Sequence, residues 1–392
     1  MSEITVFAPA PSLFGFGALV KLPEELKSRG FRRLLVITDR QIASSGIMER
    51  VLDLLKGQFE VDVFEDAPNE PLSTDIDKLH KGFRSDVDAF LGVGGGSTMD
   101  VAKALSIVMT HGGVLSDYEG EGTVPGPVIP IVCVPTTSGT GSQNTQTTVF
   151  TTRGVKLGCS SEYIRPALSI VDPELTLGLP VSVTRNSGYD ALMHAIESFT
   201  ARPHGKVPER PILYQGSNPF SRTLALEAFR SIWAVYRRAV RHGEDREARG
   251  GMSLGSHLAG MAFSHSGLGL VHALASSLGG MVDAPHGVCL AACTTLGLSY
   301  NLTVCRGDFA VLGAIMEGKE SRPPSEILAG RFIENLEELI RDMNFPTRPS
   351  DLGVKKEDAQ ALLRNTLLQT RRIKTNPRPL EDDLLGHIQK GI

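Results

Sequence analysis

Cysteine is scarce in this sequence: five residues in 392, at positions 133, 159, 289, 293 and 305. An odd, scattered set excludes the disulfide framework of a small secreted domain and fits a reducing cytoplasm. Cys289 and Cys293 stand four apart, but no second pair joins them. Both lie in an apolar, helix-like run, so they read as buried thiols rather than metal ligands. Neither sign of charge is in excess: 40 Lys+Arg against 44 Asp+Glu leave a net charge of −4. No run of like charge forms a tail, which speaks against nucleic acid or an anionic membrane as a partner. The N-terminus has neither a basic start nor a continuous apolar stretch, and no segment reads as a membrane span, so neither a signal peptide nor a transmembrane helix is expected. Internal repeats and low-complexity tracts are missing as well. What is present is an ordinary soluble composition, 41% hydrophobic and 21% charged, on a chain long enough for two domains.

The first half alternates short apolar runs with amphipathic stretches. "RRLLVITD" (32–39), "FEVDVFED" (59–66), "VDAFLGVGGG" (87–96) and "VIPIVCVPTT" (128–137) read as strands, with helices at 45–57, 74–85 and 97–109 between them. That alternation predicts a parallel sheet covered by helices on both faces. "TTVFTTRGVKLGCSS" (147–161) reads as a hairpin turning at Arg153–Gly154, and "ALSIVDPEL" (167–175) as a last strand. After Pro180 helical spacing dominates, placing a boundary there: residues 1–180 an α/β domain, 181–392 a helical one. The proline-rich segment 202–220 reads as a loop, more readily a surface loop than a rim of the site.

Three stretches carry chemistry. "GVGGGSTMDVAK" (92–103) ends a strand and opens a helix. Glycines there let backbone approach a phosphate, and a helix N-terminus offers free N–H groups, although a tight turn alone would also explain them. "PTTSGTGSQ" (135–143) follows the next strand and belongs at the same sheet edge, so the two loops form a nucleotide crevice. Asp39, ending an apolar strand, can accept from ribose hydroxyls and disfavours a 2′-phosphate; a strand-terminal cap is its plainer reading. Asp190 and His194 in "SGYDALMHAIE" lie four apart on one helix face. With His272 and His286, two imidazoles on an apolar background, they make a one-oxygen, three-nitrogen set. That set suits Fe(II) or Zn(II) and is too nitrogen-rich for Mg or Ca. It retains about one positive charge, the condition for Lewis-acid activation of an alcohol oxygen.

The stretches "GGGSTMDVAK", "PTTSGTGS", "VDPELTLGLP", "GYDALMHAIE", "GLGLVHA", "APHG" and "TNPRPLEDDL" together resemble the iron-containing (group III) alcohol dehydrogenases, in the family's order and over most of the chain. The resemblance implies a Rossmann-like NAD(P)-binding domain followed by an all-α metal-binding domain, the architecture shared with dehydroquinate synthase. It implies Asp190, His194, His272 and His286 as metal ligands, Fe(II) first with Zn(II) as the alternative. Gly95, Gly96, Ser97 and Asp100 fall at the pyrophosphate loop; Thr136, Thr137 and Thr140 fall in the second cofactor loop. Lys156 matches a lysine that reaches the cofactor ribose, and Asp39 the position associated with NAD over NADP. The activity implied is hydride exchange between nicotinamide and a small alcohol or aldehyde, in a cytoplasmic homodimer or larger homo-oligomer.

Two positions depart from the pattern. Ser276 stands where the family has a second histidine four residues after His272, so the proton must travel by serine, water or ribose hydroxyls. Gln143 replaces a common Glu. Gln143 and Arg165 together motivate an alternative, reduction of an anionic aldehyde of the maleylacetate, phosphonoaldehyde or sulfoaldehyde type. His265 stands where relatives often carry Asn and reads as a satisfied buried histidine. A metal-dependent lyase on the same architecture and a non-catalytic binding protein are the remaining alternatives.

Overall fold

The computed structural model describes all residues except 1–3, 7, 8, 209–212 and 321–324. Its nine strands are β1 (Ser12–Phe14), β2 (Arg33–Ile37), β3 (Glu60–Phe64), β4 (Ala89–Gly94), β5 (Gly120–Glu121), β6 (Ile131–Pro135), β7 (Thr147–Thr152), β8 (Val155–Ser160) and β9 (Leu168–Val171). Six form a wholly parallel sheet in the order β1-β9-β6-β4-β2-β3, with Leu34 opposite Ala89 and Gly92 opposite Cys133. Leu35 and Ile37 of β2 face one core and Leu34 and Val36 the other, all essentially inaccessible. A strand buried on both faces is what a parallel sheet between helix layers demands. The chain runs from β2 out to β3, then returns past β2 to lay down β4. The switch point therefore lies between β2 and β4, where the residues after both strands meet.

Helices α1 (Leu22–Ser28), α2 (Arg40–Ala43), α3 (Ile47–Leu55), α4 (Ser73–Leu79) and α5 (Gly96–His111) cover the sheet. The expected hairpin β7–β8 turns at Arg153 (φ 50°) and Gly154 (φ 75°), and β5 joins it in a second, three-stranded sheet. β1 and β5, three and two residues long, are too short to leave a periodicity in sequence.

From residue 181 onward the described regular structure is helical: α6 (Val181–Thr200), α7 (Pro219–Arg241), α8 (Arg246–Ser266), α9 (Leu270–Gly279), α10 (His286–Met316), α11 (Glu326–Asp342), α12 (Ala359–Leu367), α13 (Thr370–Ile373) and α14 (Leu384–Gly391). They share one core built on Tyr189, Phe229, Tyr236, Phe309 and Phe332. α10 is long and apolar enough to cross a membrane by length and composition, but 67% of its most apolar window is buried inside this bundle. All five cysteines are buried and unpaired.

The sheet half and the helical half meet backbone to backbone. A Cβ on Gly141 (φ 63°) would stand 2.6 Å from the Cα of Gly260 in α8, and one on Gly260 2.9 Å from the Cα and carbonyl oxygen of Gly141. Gly260→Ala is therefore expected to lower stability by about 1–3 kcal/mol despite the better helix propensity of alanine. Gly330→Ala, at an open position in α11, should instead raise it by up to about 1 kcal/mol. Thermal unfolding of the two variants side by side checks this; equal midpoints would mean the contact has slack.

Candidate metal and dinucleotide site

α6 carries Asp190, His194 and Glu197 at i, i+4 and i+7, one stripe of a helix buried from Gly188 to Thr200. Glu197 is 3% exposed and accepts three N–H groups. Val271 N donates to Oε1 at 2.7 Å, while His272 N (3.2 Å) and His272 Nδ1 (2.5 Å) donate to Oε2. A carboxylate at the positive end of α9 thus anchors that helix and fixes the His272 tautomer, leaving Nε2 bare. Gly269 must be glycine, because a Cβ there would stand 2.9 Å from Glu197 Oε1 and from Asn376 Oδ1. His286 enters from another direction, as the first residue of α10 after Pro285.

The structure brings the four predicted ligands together around Asp190. Its Oδ1 lies 3.4 Å from His272 Nε2, 3.6 Å from His194 Nε2 and 3.7 Å from His286 Nε2. A tetrahedron with ligands about 2.1 Å from its centre has edges of about 3.4 Å. Asp190, His272 and His286 offer atoms all within 4.8 Å of one another; His194, stacked on His272 at 4.6 Å, stands wider of that trio. His194 Nδ1 is buried with no hydrogen-bond partner. The Gly139 backbone is near enough to raise its proton affinity, but no geometry there qualifies as a bond. Burial pushes His194 down to about 4 and His286 to about 3, so both imidazoles are neutral at pH 7 and free to ligate. Burial would also lower His272, but its bonds to Asp190 and Glu197 outweigh that and raise it. Burial opposes ionisation of Asp190, yet His194 and the other two imidazoles hold its carboxyl well below the usual range. A proton on His272 Nε2 would point at Asp190 Oδ1, 3.4 Å away, a place that a divalent cation fills better. The donor set fits such a cation.

The two loops after β4 and β6 lie across the crevice. α5 begins at Gly96, and Gly95 before it offers no side-chain cap, so its first N–H groups are open to a phosphate. A Cβ on Gly96 would meet the Thr140 side chain at 2.5 Å, so this glycine lets the two loops close on each other. Ser97 Oγ donates to Asn69 O at 2.5 Å. Asp39 caps α2, accepting from Gln41 N and Ile42 N at 3.0 Å on one oxygen and from Thr98 Oγ1 at 3.1 Å on the other. Asp100 accepts from Ser142 Oγ (2.8 Å) and Val149 N (3.1 Å), tying α5 to the second loop and the hairpin. Beneath them is a lysine that sequence spacing does not single out. Lys103 is fully buried, and its Nζ reaches Ser142 O and Oγ, Thr145 O and Oγ1, and Thr147 O at 2.7–3.1 Å. Burial pulls its pKa down, but three carbonyl acceptors favour the ammonium form.

Between the halves lies a cavity of about 230 Å³. Gly96, Ser97, Asp100, Thr140 and Lys156 line one side; Asp190, His194, His272, Ser276 and His286 line the other. Asp39, Gly95, Thr136 and Thr137 stand back from its walls. Lys156 Nζ lies 3.4 Å from Glu70 Oε1. Three expectations need correction. Gln143 is 2% exposed, in a short turn whose carbonyl accepts from Ser169 Oγ, and does not reach the cavity. Arg165 donates to Gln146 Oε1 at 2.6 Å and does not reach it either, so neither residue tunes the pocket charge. The segment 202–220 is not simply a surface loop. Residues 209–212 lie outside the described residues, but Tyr214 is 3% exposed and forms part of the cavity wall. His265 is buried, its Nδ1 donating to Met261 O at 3.0 Å. Beyond Lys103, the residues that sequence reasoning misses are Glu197, one turn further along the Asp190–His194 stripe, and Tyr214, Arg371 and Arg372, which only the fold brings here.

This chain is similar to known proteins over most of its length. Residues 9–173 match the family model described as iron-containing alcohol dehydrogenase, and residues 184–390 the model for that family's C-terminal part. The NAD-dependent methanol dehydrogenase of Bacillus methanolicus is 33% identical over 376 residues, 95% of each chain. The long-chain-alcohol dehydrogenase 1 of Geobacillus thermodenitrificans is 32% identical, covering 97% of this chain and 94% of its own. A crystal structure of 1,3-propanediol oxidoreductase superposes with a TM-score of 0.91 at 32% identity over 100% of both chains.

Proposed function

The chain belongs to the iron-containing alcohol dehydrogenase family and is an NAD-linked alcohol dehydrogenase or aldehyde reductase, and from that premise we propose which residues do the work. Asp190, His194, His272 and His286 hold the divalent metal, Fe(II) in preference to Zn(II). The single observation that carries this is Asp190 Oδ1 within 3.4–3.7 Å of three Nε2 atoms in a buried crevice. Glu197 positions His272. The open N–H groups at Gly95, Gly96 and Ser97 receive the pyrophosphate, with Thr140 and Lys156 at the cavity wall. Asp39 offers its carboxylate to the adenosine ribose, and Thr136, Thr137 and Asp100 shape the loops behind it. Held there, the metal would supply Lewis-acid chemistry and the nicotinamide would supply the hydride chemistry. The chain's own part is to hold these groups at reacting distance and keep the crevice dry, with Phe263 and Leu268 as apolar walls. Ser276, one turn after His272 and 7% exposed, can relay a proton but cannot store one as a cation. We assign the dinucleotide to residues 1–180 and the metal to 181–392. We read the protein as cytoplasmic, which five unpaired buried thiols support, and as a homodimer or larger homo-oligomer.

The test is to strip the full-length protein with a chelator and restore Fe(II), Zn(II) or neither under anaerobic conditions. Metal content and NADH oxidation against a panel of aldehydes are then measured. About one metal per chain and activity only in the restored samples are expected. Full activity in the stripped protein would overturn the assignment.

A further inference from the structure

We propose that Arg371 and Arg372 form an oxyanion-binding pair at the substrate end of the cavity, so that the preferred substrate is an aldehyde (or its alcohol) carrying a carboxylate, sulfonate or phosphonate group. This rests on the dehydrogenase reading above and names its substrate class. Both arginines sit in the four-residue α13 and open on the same cavity as His272 and His286. Neither lies within ion-pair distance of a carboxylate among the described residues. Arg371 donates to Ser160 Oγ at 2.7 Å and leans toward the Tyr214 ring at 5.4 Å. Arg372 donates to Gln369 Oε1, and its Nε is buried with no partner. Elsewhere in the helical half Arg222 is paired with Asp308 at 2.7 Å and Arg230 with Glu320 at 2.6 Å, while Arg185, Arg202 and Arg249, which meet no carboxylate among the described residues, donate instead to backbone carbonyls and a hydroxyl; none of these lines the cavity.

The charge balance points the same way. Within the crevice Asp190 and Glu197 together offset one divalent cation, Asp100 faces Lys103, and Lys156 faces Glu70. The two guanidinium groups are left over. Arg372 shares the cavity wall with His272 and His286, and its own pKa falls to about 10, chiefly through burial and then through the neighbouring Arg371, with Glu197 and Asp190 opposing only in part from a distance. Two adjacent cations in a protein-dense wall, unpaired and mutually repelling, oppose folding unless a ligand compensates them. The cofactor pyrophosphate has its own receptor in the open start of α5, across the cavity. Guanidinium forks match the paired oxygens of carboxylate, sulfonate and phosphonate, so the pair fixes the charged end of a substrate whose carbonyl points at Asp190 and its histidines.

The experiment uses the metal-loaded full chain and NADH, with butanal, 4-oxobutanoate, sulfoacetaldehyde and phosphonoacetaldehyde as parallel substrates. At least one charged aldehyde should exceed butanal in kcat/KM by about 100-fold, and which one does so identifies the anion. Arg372→Met should reduce that charged-to-neutral ratio about 100-fold and Arg371→Met about 10-fold, with Arg372→Lys in between, while the Kd for NADH moves less than about twofold. Butanal preferred in the unaltered chain, a ratio indifferent to all three variants, or a parallel loss of NADH affinity overturns the inference. No rate with any aldehyde would sink the dehydrogenase reading instead. Calorimetry with succinate then decides the anion pair: binding abolished in Arg372→Met or Arg372→Lys sustains it, and no binding to the unaltered chain ends it.

Discussion

Replacing Glu197 by alanine is expected to strip the protein of metal at concentrations where the unaltered chain stays loaded, through a loss of roughly 10–100-fold in affinity. Three buried N–H groups converge on this carboxylate, and one of them sets which nitrogen of His272 faces Asp190. Without the acceptor, His272 is free to turn and the first turn of α9 loses its anchor. Removing one side of a buried charge pair costs about 3–5 kcal/mol, so the unfolding midpoint should fall as well. Glu197→Gln separates the two effects. An amide has one acceptor oxygen: placed at Oε2 it keeps both His272 donors but turns its NH2 toward Val271 N, a cost of about 1–3 kcal/mol. The amide variant should therefore lose stability but keep most of its metal. Chelator competition and thermal unfolding on both variants check this. Alanine at 197 with undiminished metal affinity would mean that His272 is oriented by something else.

Lys103→Met should weaken NADH binding at least 100-fold. The substitution preserves the length and apolar stem of the side chain and removes its donors, leaving the buried carbonyls of Thr145 and Thr147 without the ammonium they accept from and that of Ser142 with only its local bonds from Thr145. Each such group costs about 1–3 kcal/mol, so the loop from Thr136 to Thr147 cannot keep its path. Thr140, which packs against Gly96, moves with it. An NADH fluorescence titration should show at least a 100-fold weaker Kd, with the metal site, on the far wall, still able to fill. Retention of near-normal NADH affinity would restrict Lys103 to a purely stabilising role.

How much of the site is legible in the sequence depends on whether spacing or path brings a residue there. Asp190 and His194 are legible because the helical period puts them on one face, and Glu197 extends the same stripe by one turn. His272 and His286 stand out as imidazoles on an apolar background. The loops after β4 and β6 are legible because glycine and hydroxyl residues directly follow apolar runs. Arg371, Arg372 and Tyr214 are not, since no local pattern connects them to α6, which ends 14 residues before Tyr214 and 171 before Arg371. Arg165 and Gln143 show the converse: both lie close to site motifs in sequence, yet local backbone geometry turns them into the protein. Parallel order could be read from the strand–helix alternation; the pairing of β1 with β9, where Ser12 lies opposite Ser169, 157 residues on, could not.

The burial of every cysteine makes this chain a convenient background for chemical labelling. Burial pushes the thiols of Cys159 and Cys289 up to about 11 and those of Cys133 and Cys305 to about 12, with Cys293 raised as well. Near neutral pH roughly one in a thousand or fewer of these groups is thiolate, the form that attacks a maleimide, and none of them is exposed to it. A single cysteine placed on the rim of the crevice, one on each half in turn, would take up a dye alone. Distances across the crevice could then be followed in the otherwise unaltered protein as cofactor and substrate enter.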